Sequence, residues 1–185
     1  MTTRPVDLQP TLAGDLVTLC PLRADDWDAL YAVASDPAIW ALHPAHDRHE
    51  EPVFRAFFDE ALRSGGALVA IDPATGGVIG SSRYSLDRAE PGEVEIGWTF
   101  LARPHWGGAA NRDMKRLMLS HAFTFADTAI FLVGETNWRS RRAMEKIGGR
   151  LLERTHRAVM AEKDVIHVIY AITADDFVAG PLARP

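Results

Sequence analysis

At 185 residues the chain is long enough for one domain with a substantial core and cramped for two. With 47% hydrophobic and 24% charged residues it is too apolar to stay disordered. Its formal charge of −5 argues against nucleic acid as a partner, because no basic field is available to release phosphate counterions.

The first residues, "MTTRPVDLQPTLAGD", lack the apolar core of a secretion signal, and no stretch approaches a membrane span, so no membrane partner is expected. Residues 1–14 and 179–185 read as loose tails around a domain at 15–178. A single cysteine, Cys20, rules out an intrachain disulfide and fits a reducing, cytoplasmic setting. Within the alternating "LVTLCPL" it reads as a small core residue.

In chain order, Asp15–Arg23 has the pattern of a strand. Ala24–Asp36 reads as a helix with an acidic first turn and Pro37 just beyond it. Glu51–Gly66 is a second helix, with Pro52 near its start and glycines at its stop. Ala67–Leu86 reads as two strands around a Pro/Gly turn, and Glu93–Ala102 as a strand rich in aromatic and β-branched residues. The stretch "RPHWGGAANRDMK" (103–115) then leads into a helix. Met114, Leu117, Met118, His121, Ala122 and Phe125 fall on one face of it.

The apolar run Ala129–Glu135 suits a strand covered on both faces. Asn137–Gly149 starts with a capping asparagine and ends in two glycines, as a helix does. Arg150–Met160 and Val165–Ile172 flank "AEKD" as a hairpin. The interleaving of periods predicts one mixed α/β domain.

A strand, a turn poor in side chains and a helix N-terminus together make an anion site. The first helical N–H groups have no partner in the chain, and the helix dipole adds positive character there. Gly107 and Gly108 permit close approach of an oxyanion such as pyrophosphate. A turn that binds nothing accounts for the same residues equally well. "WGGAANRD" lacks the Gly-Lys-Ser/Thr end of a Walker A loop and is not G-x-G-x-x-G, so neither familiar nucleotide loop applies.

The segments "VEIGWTFLARPHWGGAANRDMKRLMLSHAF" and "VGETNWRSRRAMEKIGGRLLE" resemble the GCN5-related N-acetyltransferase (GNAT) superfamily. Within it they look most like the RimJ/RimL-like branch that acetylates N-termini of ribosomal proteins. The resemblance spans roughly Asp15 to Ile172. It implies a mostly antiparallel central sheet, flanked by helices, whose fourth and fifth strands are parallel and splay apart to admit acetyl-CoA. It further implies that backbone at Phe100 and Leu101 meets the pantetheine arm. The loop of Trp106, Gly107, Gly108, Ala109, Ala110, Asn111 and Arg112 would hold the pyrophosphate, with Ala109 and Asn111 standing where the family has smaller residues.

The acetyl group would pass directly to a primary amine, either a protein N-terminus or a small molecule, without an acyl-enzyme and without a metal. Such a transfer needs a base for the amine and an acid for the thiolate. Glu95 is the candidate base, with Glu93 on the same strand face in reserve, although both also read as ordinary solvent-facing carboxylates. The Tyr that serves many family members as acid is Met144 here. In this branch a serine three residues after the asparagine takes that place, which makes Asn137 and Ser140 the pair beside the thiol. Asn137 also reads as a plain helix cap.

His43, His46 and His49 match no compact zinc spacing. With Trp40 they lie in the connector that often walls the acceptor site in this family. His121 and His167 read as structural residues. Arg139, Arg141 and Arg142 read as a solvated helix face, from which one can reach the coenzyme's ribose phosphate. A basic ribosomal acceptor would suit the net charge. Met144 and the altered loop leave room for a non-catalytic acyl-CoA-binding module, and a different acyl donor and a homodimer also stay open.

Overall fold

The computed structural model describes residues 5–183. Its eight strands are β1 (Leu12–Ala13), β2 (Thr18–Pro21), β3 (Ala67–Ile71), β4 (Val78–Ser85), β5 (Glu93–Leu101), β6 (Thr128–Gly134), β7 (Arg150–Met160) and β8 (Lys163–Thr173). They form one sheet in the order β1-β2-β3-β4-β5-β6-β8-β7. Every pairing is antiparallel except β5 with β6. The splayed pair expected as the fourth and fifth strands is β5 and β6, displaced in count by the short first strand.

Helices cover both faces. The helices α1 (Trp27–Ala34), α2 (Pro37–Trp40) and α3 (Glu51–Ser64) lie on one side. There Leu30, Phe54, Phe57 and Phe58 pack on Val69 and Phe100. On the other side are α4 (Ala109–Ala122) and α5 (Trp138–Lys146), whose Met114, Met118 and Met144 pack on Val94, Ile96, Phe131 and Tyr170. These apolar faces recur at helical spacing in α3 and α4, which is why burying each against the sheet defines its layer. Beyond α3, Ile130 packs with Ile169 and Ala171. The β6 run is therefore lined by apolar neighbours on both faces, as its composition predicts.

Three segments depart from expectation. Part of the presumed N-terminal tail is docked: Leu12–Ala13 pairs with β2, and His121 bonds the Asp7 carbonyl at 2.8 Å. Leu182, in the presumed C-terminal tail, is buried. Apolar residues in both tails find core surface that the local sequence cannot reveal, while residues 1–4 and 184–185 lie outside the described residues. A further helix, α6 (Ala174–Ala179), follows β8 and is started by a capping box between Thr173 and Asp176. The hairpin turns through Ala161 and Glu162, both at positive φ (47° and 61°), without a glycine.

Candidate active site

The parallel ladder between β5 and β6 is short. Glu93, Val94 and Glu95 face Thr128, Ala129 and Ile130, and pairing stops there. From Ile96 to Leu101, β5 pairs only with β4, leaving its other edge unpaired by β6. A bulge marks the parting. Arg83 faces Gly97 and Ser81 faces Phe100, so Trp98 and Thr99 together oppose Ser82. Trp98 has φ +52°, a left-handed conformation that non-glycine residues adopt rarely and at some cost.

A bulge bends its strand and inserts one residue into the alternation. Ahead of it Val94 and Ile96 point toward α4; beyond it Leu101 does so, while Phe100 joins the α3 side. The result is a wedge open toward the end of β6.

At the mouth of the wedge, Gly107 has φ +62°, which favours glycine. Gly108 is extended and caps α4 without any side-chain hydrogen bond, so the first amides of a 14-residue helix lack a side-chain cap. Only the first of the two glycines is therefore required by its backbone angles. Ala109 is already helical, a conformation in which alanine costs nothing relative to glycine. The Trp106 indole N–H turns back to the Leu101 carbonyl at 2.8 Å. The Arg112 side chain donates to the Pro181 carbonyl. In this loop the backbone amides of Gly108, Ala109, Ala110 and Asn111 open the helix without a side-chain cap, and such amides are what a helix start can offer an anion.

Across the mouth stands α5. Buried Asn137 caps it, its Oδ1 accepting the Ser140 N–H at 3.2 Å. The hydroxyl of half-buried Ser140 makes no hydrogen bond among the described residues. Met144 is in the core. The expected solvated arginine face is broken up: Arg139 lies 4.4 Å over the Trp106 ring, and Arg141 bonds the Glu135 carbonyl and Tyr170 hydroxyl. The first leans across the mouth toward the loop; the second is consumed internally. Gly134, at the end of β6, is pressed by the connector after α2. A Cβ there would sit 2.8 Å from Pro44 Cγ.

Glu95 sits at the apex of the wedge, on the face away from α4, with its side chain 1% exposed. Arg88 holds it through two bonds of 2.5 and 2.9 Å. Burial pushes its carboxyl above the ordinary carboxylate range despite the pull of that arginine. Glu93 belongs elsewhere. Partial burial raises its carboxyl, but Arg154 and the Glu90 amide outweigh this and hold it below the ordinary range. Neither carboxylate is an idle strand-face residue.

Several polar residues escaped the sequence reading. Lys115, on the buried face of α4, donates to Thr99 Oγ1 at 3.1 Å and lies 5.1 Å from the Phe131 ring. Its amine thus touches both strands just past their last pair, and burial lowers it to about 7. The signal was a cation one position after Met114, inside the apolar stripe. On the opposite face Arg83 and Arg88 lie 4.5 and 4.6 Å from the Trp98 ring, and Arg48 lies 4.5 Å from Phe57. Arg83, between Ser82 and Tyr84 in a buried strand, was legible as an anomaly; Arg48 was not.

The three connector histidines do not converge. His43 Nδ1 accepts the Ala45 amide at 2.9 Å, and His49 Nδ1 bonds the His46 carbonyl at 3.0 Å. Burial takes His43 to about 3, so it is neutral. Trp40 is core, its ring 5.0 Å from Phe100 and its N–H on the Ala34 carbonyl. His121 is structural, as noted above, whereas His167 is buried with Nδ1 unpartnered among the described residues. Among those residues no group of three His, Cys, Asp or Glu is placed to hold a metal, and no helix is long and apolar enough to cross a membrane.

A family model described as an acetyltransferase (GNAT) domain matches residues 17–150. Among solved structures the chain is similar to a GCN5-related N-acetyltransferase from Brucella melitensis, at 24% identity and a TM-score of 0.77 over 95% of this chain and 83% of that one. It is similar to Mycobacterium smegmatis RimJ in complex with CoA-disulfide (21% identity, TM-score 0.65, 91% and 87% covered). A spermidine N-acetyltransferase from Vibrio cholerae, in complex with CoA and spermine, shares the fold at 14% identity, with a TM-score of 0.66 and 89% and 99% covered. No curated protein matches the chain in sequence.

Proposed function

The chain belongs to the acetyltransferase (GNAT) domain family, and from that premise we propose that it moves an acetyl group from acetyl-CoA directly to a primary amine, on a small molecule or a protein N-terminus. One observation carries this reading: the β5–β6 ladder breaks after Glu95 and Ile130, opening a wedge whose mouth holds the uncapped start of α4. The unpaired β5 edge offers amides and carbonyls to an extended pantetheine arm, much as a sheet edge accepts a strand. The α4 amides offer the pyrophosphate its site.

In this account the amine nitrogen attacks the thioester carbonyl while its proton passes to Glu95 through water. The carbon–sulfur bond then breaks, and the sulfur takes a proton relayed through Ser140. Burial suits Glu95 to the first role, because a raised carboxyl is a stronger base. The free Ser140 hydroxyl suits the second. Holding both reactants in the wedge supplies much of the acceleration. Likeness to the ribosomal-protein branch rests on the loop and on the RimJ fold match at 21% identity.

Two measurements test the reading. Calorimetry should show uptake of CoA; none would end the enzymatic account. Thiol release across an amine panel should show turnover, and binding without turnover on any amine would favour the non-catalytic module that buried Met144 suggests. Ser140→Ala should slow transfer about 100- to 10,000-fold with coenzyme affinity intact, the range of lost acid–base assistance. An unchanged rate would remove Ser140 from the mechanism.

A further inference from the structure

On the sheet face opposite α4, three arginines gather along the Trp98 and Phe57 rings, two from β4 and the turn after it and one from the connector between α2 and α3. Arg83 and Arg88 stack on the Trp98 indole, and Arg83 reaches within 5.6 Å of the Phe57 ring. Arg48 covers the other end of the group, over Phe57 and 5.6 Å from Trp40. Two of them have carboxylates: Arg83 bonds Glu60 at 2.9 Å, and Arg88 bonds Glu95. Arg48 forms no ion pair among the described residues; it feels Glu60 and Asp47 only at range.

The donor count is unbalanced. Arg83 is 3% exposed, yet its Nε and Nη2 find no acceptor among the described residues. A guanidinium carries five N–H groups in a fixed fork, and burying them unpaired is costly. Apolar side chains would cover Trp98 and Phe57 without that penalty, so packing does not explain arginines here. Nearby His43 and His167 are neutral, taken by burial to about 3 and about 4, and add neither charge nor a carboxylate. The group reaches solvent through half-buried Arg48 and through Arg88, whose side chain is 25% exposed.

The placement gives this imbalance its meaning. Trp98 and Glu95 belong to the wedge itself, and Pro44, four residues before Arg48, packs on Gly134 at the end of β6. The α4 amides occupy one side of the sheet; the arginines lie on the other, where Arg88 bonds Glu95, the base proposed above. Resting on the acetyl-transfer reading above, we infer that the acceptor is a small amine bearing an oxyanion, a carboxylate or a phosphate, that Arg48 and Arg83 receive. Planar guanidinium groups pair such oxyanions bidentately, and stacking on Trp98 and Phe57 fixes their planes beforehand. The local chemistry thus selects against basic acceptors, although the chain as a whole is acidic.

The test compares acceptors that share an amine and differ in charge. Amino carboxylates and aminoalkyl phosphates are assayed against the corresponding amides and alcohols, spermidine and a lysine-rich peptide. Thiol release is followed, with CoA binding measured on the same preparation. At least a tenfold advantage in kcat/KM is expected for one oxyanion class, and the better class identifies the headgroup. In Arg48→Gln that acid-to-amide ratio should fall at least tenfold, chiefly through KM, with partial recovery in Arg48→Lys. The ratio is taken within each preparation, so a partly unfolded fraction cancels. Preference for amides, polyamine or the basic peptide, no turnover of any acid by protein that binds CoA, or an unchanged ratio in Arg48→Gln would each overturn the inference. Failure to bind CoA would instead remove the acetyl-transfer reading beneath it.

Discussion

Replacing Lys115 with methionine should make the protein more stable and the gain should depend on pH. Lys115 is 4% exposed, its amine has one hydrogen bond, to Thr99, and no carboxylate partner among the described residues, and burial lowers it from the ordinary 10.5 to about 7. The unfolded chain therefore binds more protons here than the folded one between about pH 7 and 10.5. At about 1.4 kcal/mol per pH unit, keeping this lysine costs the fold about 5 kcal/mol at pH 7 and below. The cost shrinks to about 2 kcal/mol at pH 9 and fades above the unfolded value. Methionine fills similar space but forfeits the Thr99 bond, worth about 1 kcal/mol, which leaves a gain of up to about 4 kcal/mol at pH 7. Urea unfolding followed by tryptophan fluorescence at pH 7 and 9.5 would read the difference. A variant that is less stable at pH 7, or whose gain does not shrink with rising pH, would refute the reasoning. The same variant should be a poorer enzyme, because an amine kept at this cost between the parted strands points to use.

Gly107→Ala should cost about 1–2 kcal/mol of strain at φ +62°, and it should weaken CoA about 5- to 30-fold by calorimetry. Gly108→Ala, at an extended position with only a 3.8 Å contact to the Trp106 carbonyl, should cost only the loss of glycine's N-cap preference, under about 1 kcal/mol, and equal losses in both would contradict the loop geometry. Gly134→Ala drives a methyl against Pro44 and should lower stability by about 1–3 kcal/mol, visible as a lower Tm. For Glu95, the active form is the carboxylate, so kcat/KM should rise with pH through a value above the ordinary carboxylate range. Glu95→Gln should lose that limb along with most of the rate; a variant keeping the same profile would assign it to another group.

Much of the framework was legible along the chain. Apolar spacing in α3, α4 and β6 states which face each element buries, and that rule is local. Asn137 was legible as a helix cap because a cap and the amide it accepts are contiguous in the chain, whereas Ser140 came only from the family resemblance. The capping box of Thr173 and Asp176, which starts α6, was equally legible and was overlooked.

What lay beyond the sequence depends on pairings between remote segments. Strict alternation puts Thr99 on one face with Glu93 and Glu95, but the bulge at Trp98 shifts the register, turning Thr99 to Lys115 and Phe100 to α3. No local pattern announces that insertion, because it answers to the β4 partner. Likewise Arg48, Arg83 and Arg88 are ordinary cations until the sheet and the α2–α3 connector bring them around one indole and one phenyl ring. Period and caps determine which elements form and what each covers. Which charges end up desolvated together, and so where chemistry can be concentrated, is decided only when the layers close, since burial belongs to the assembled fold and to no residue alone.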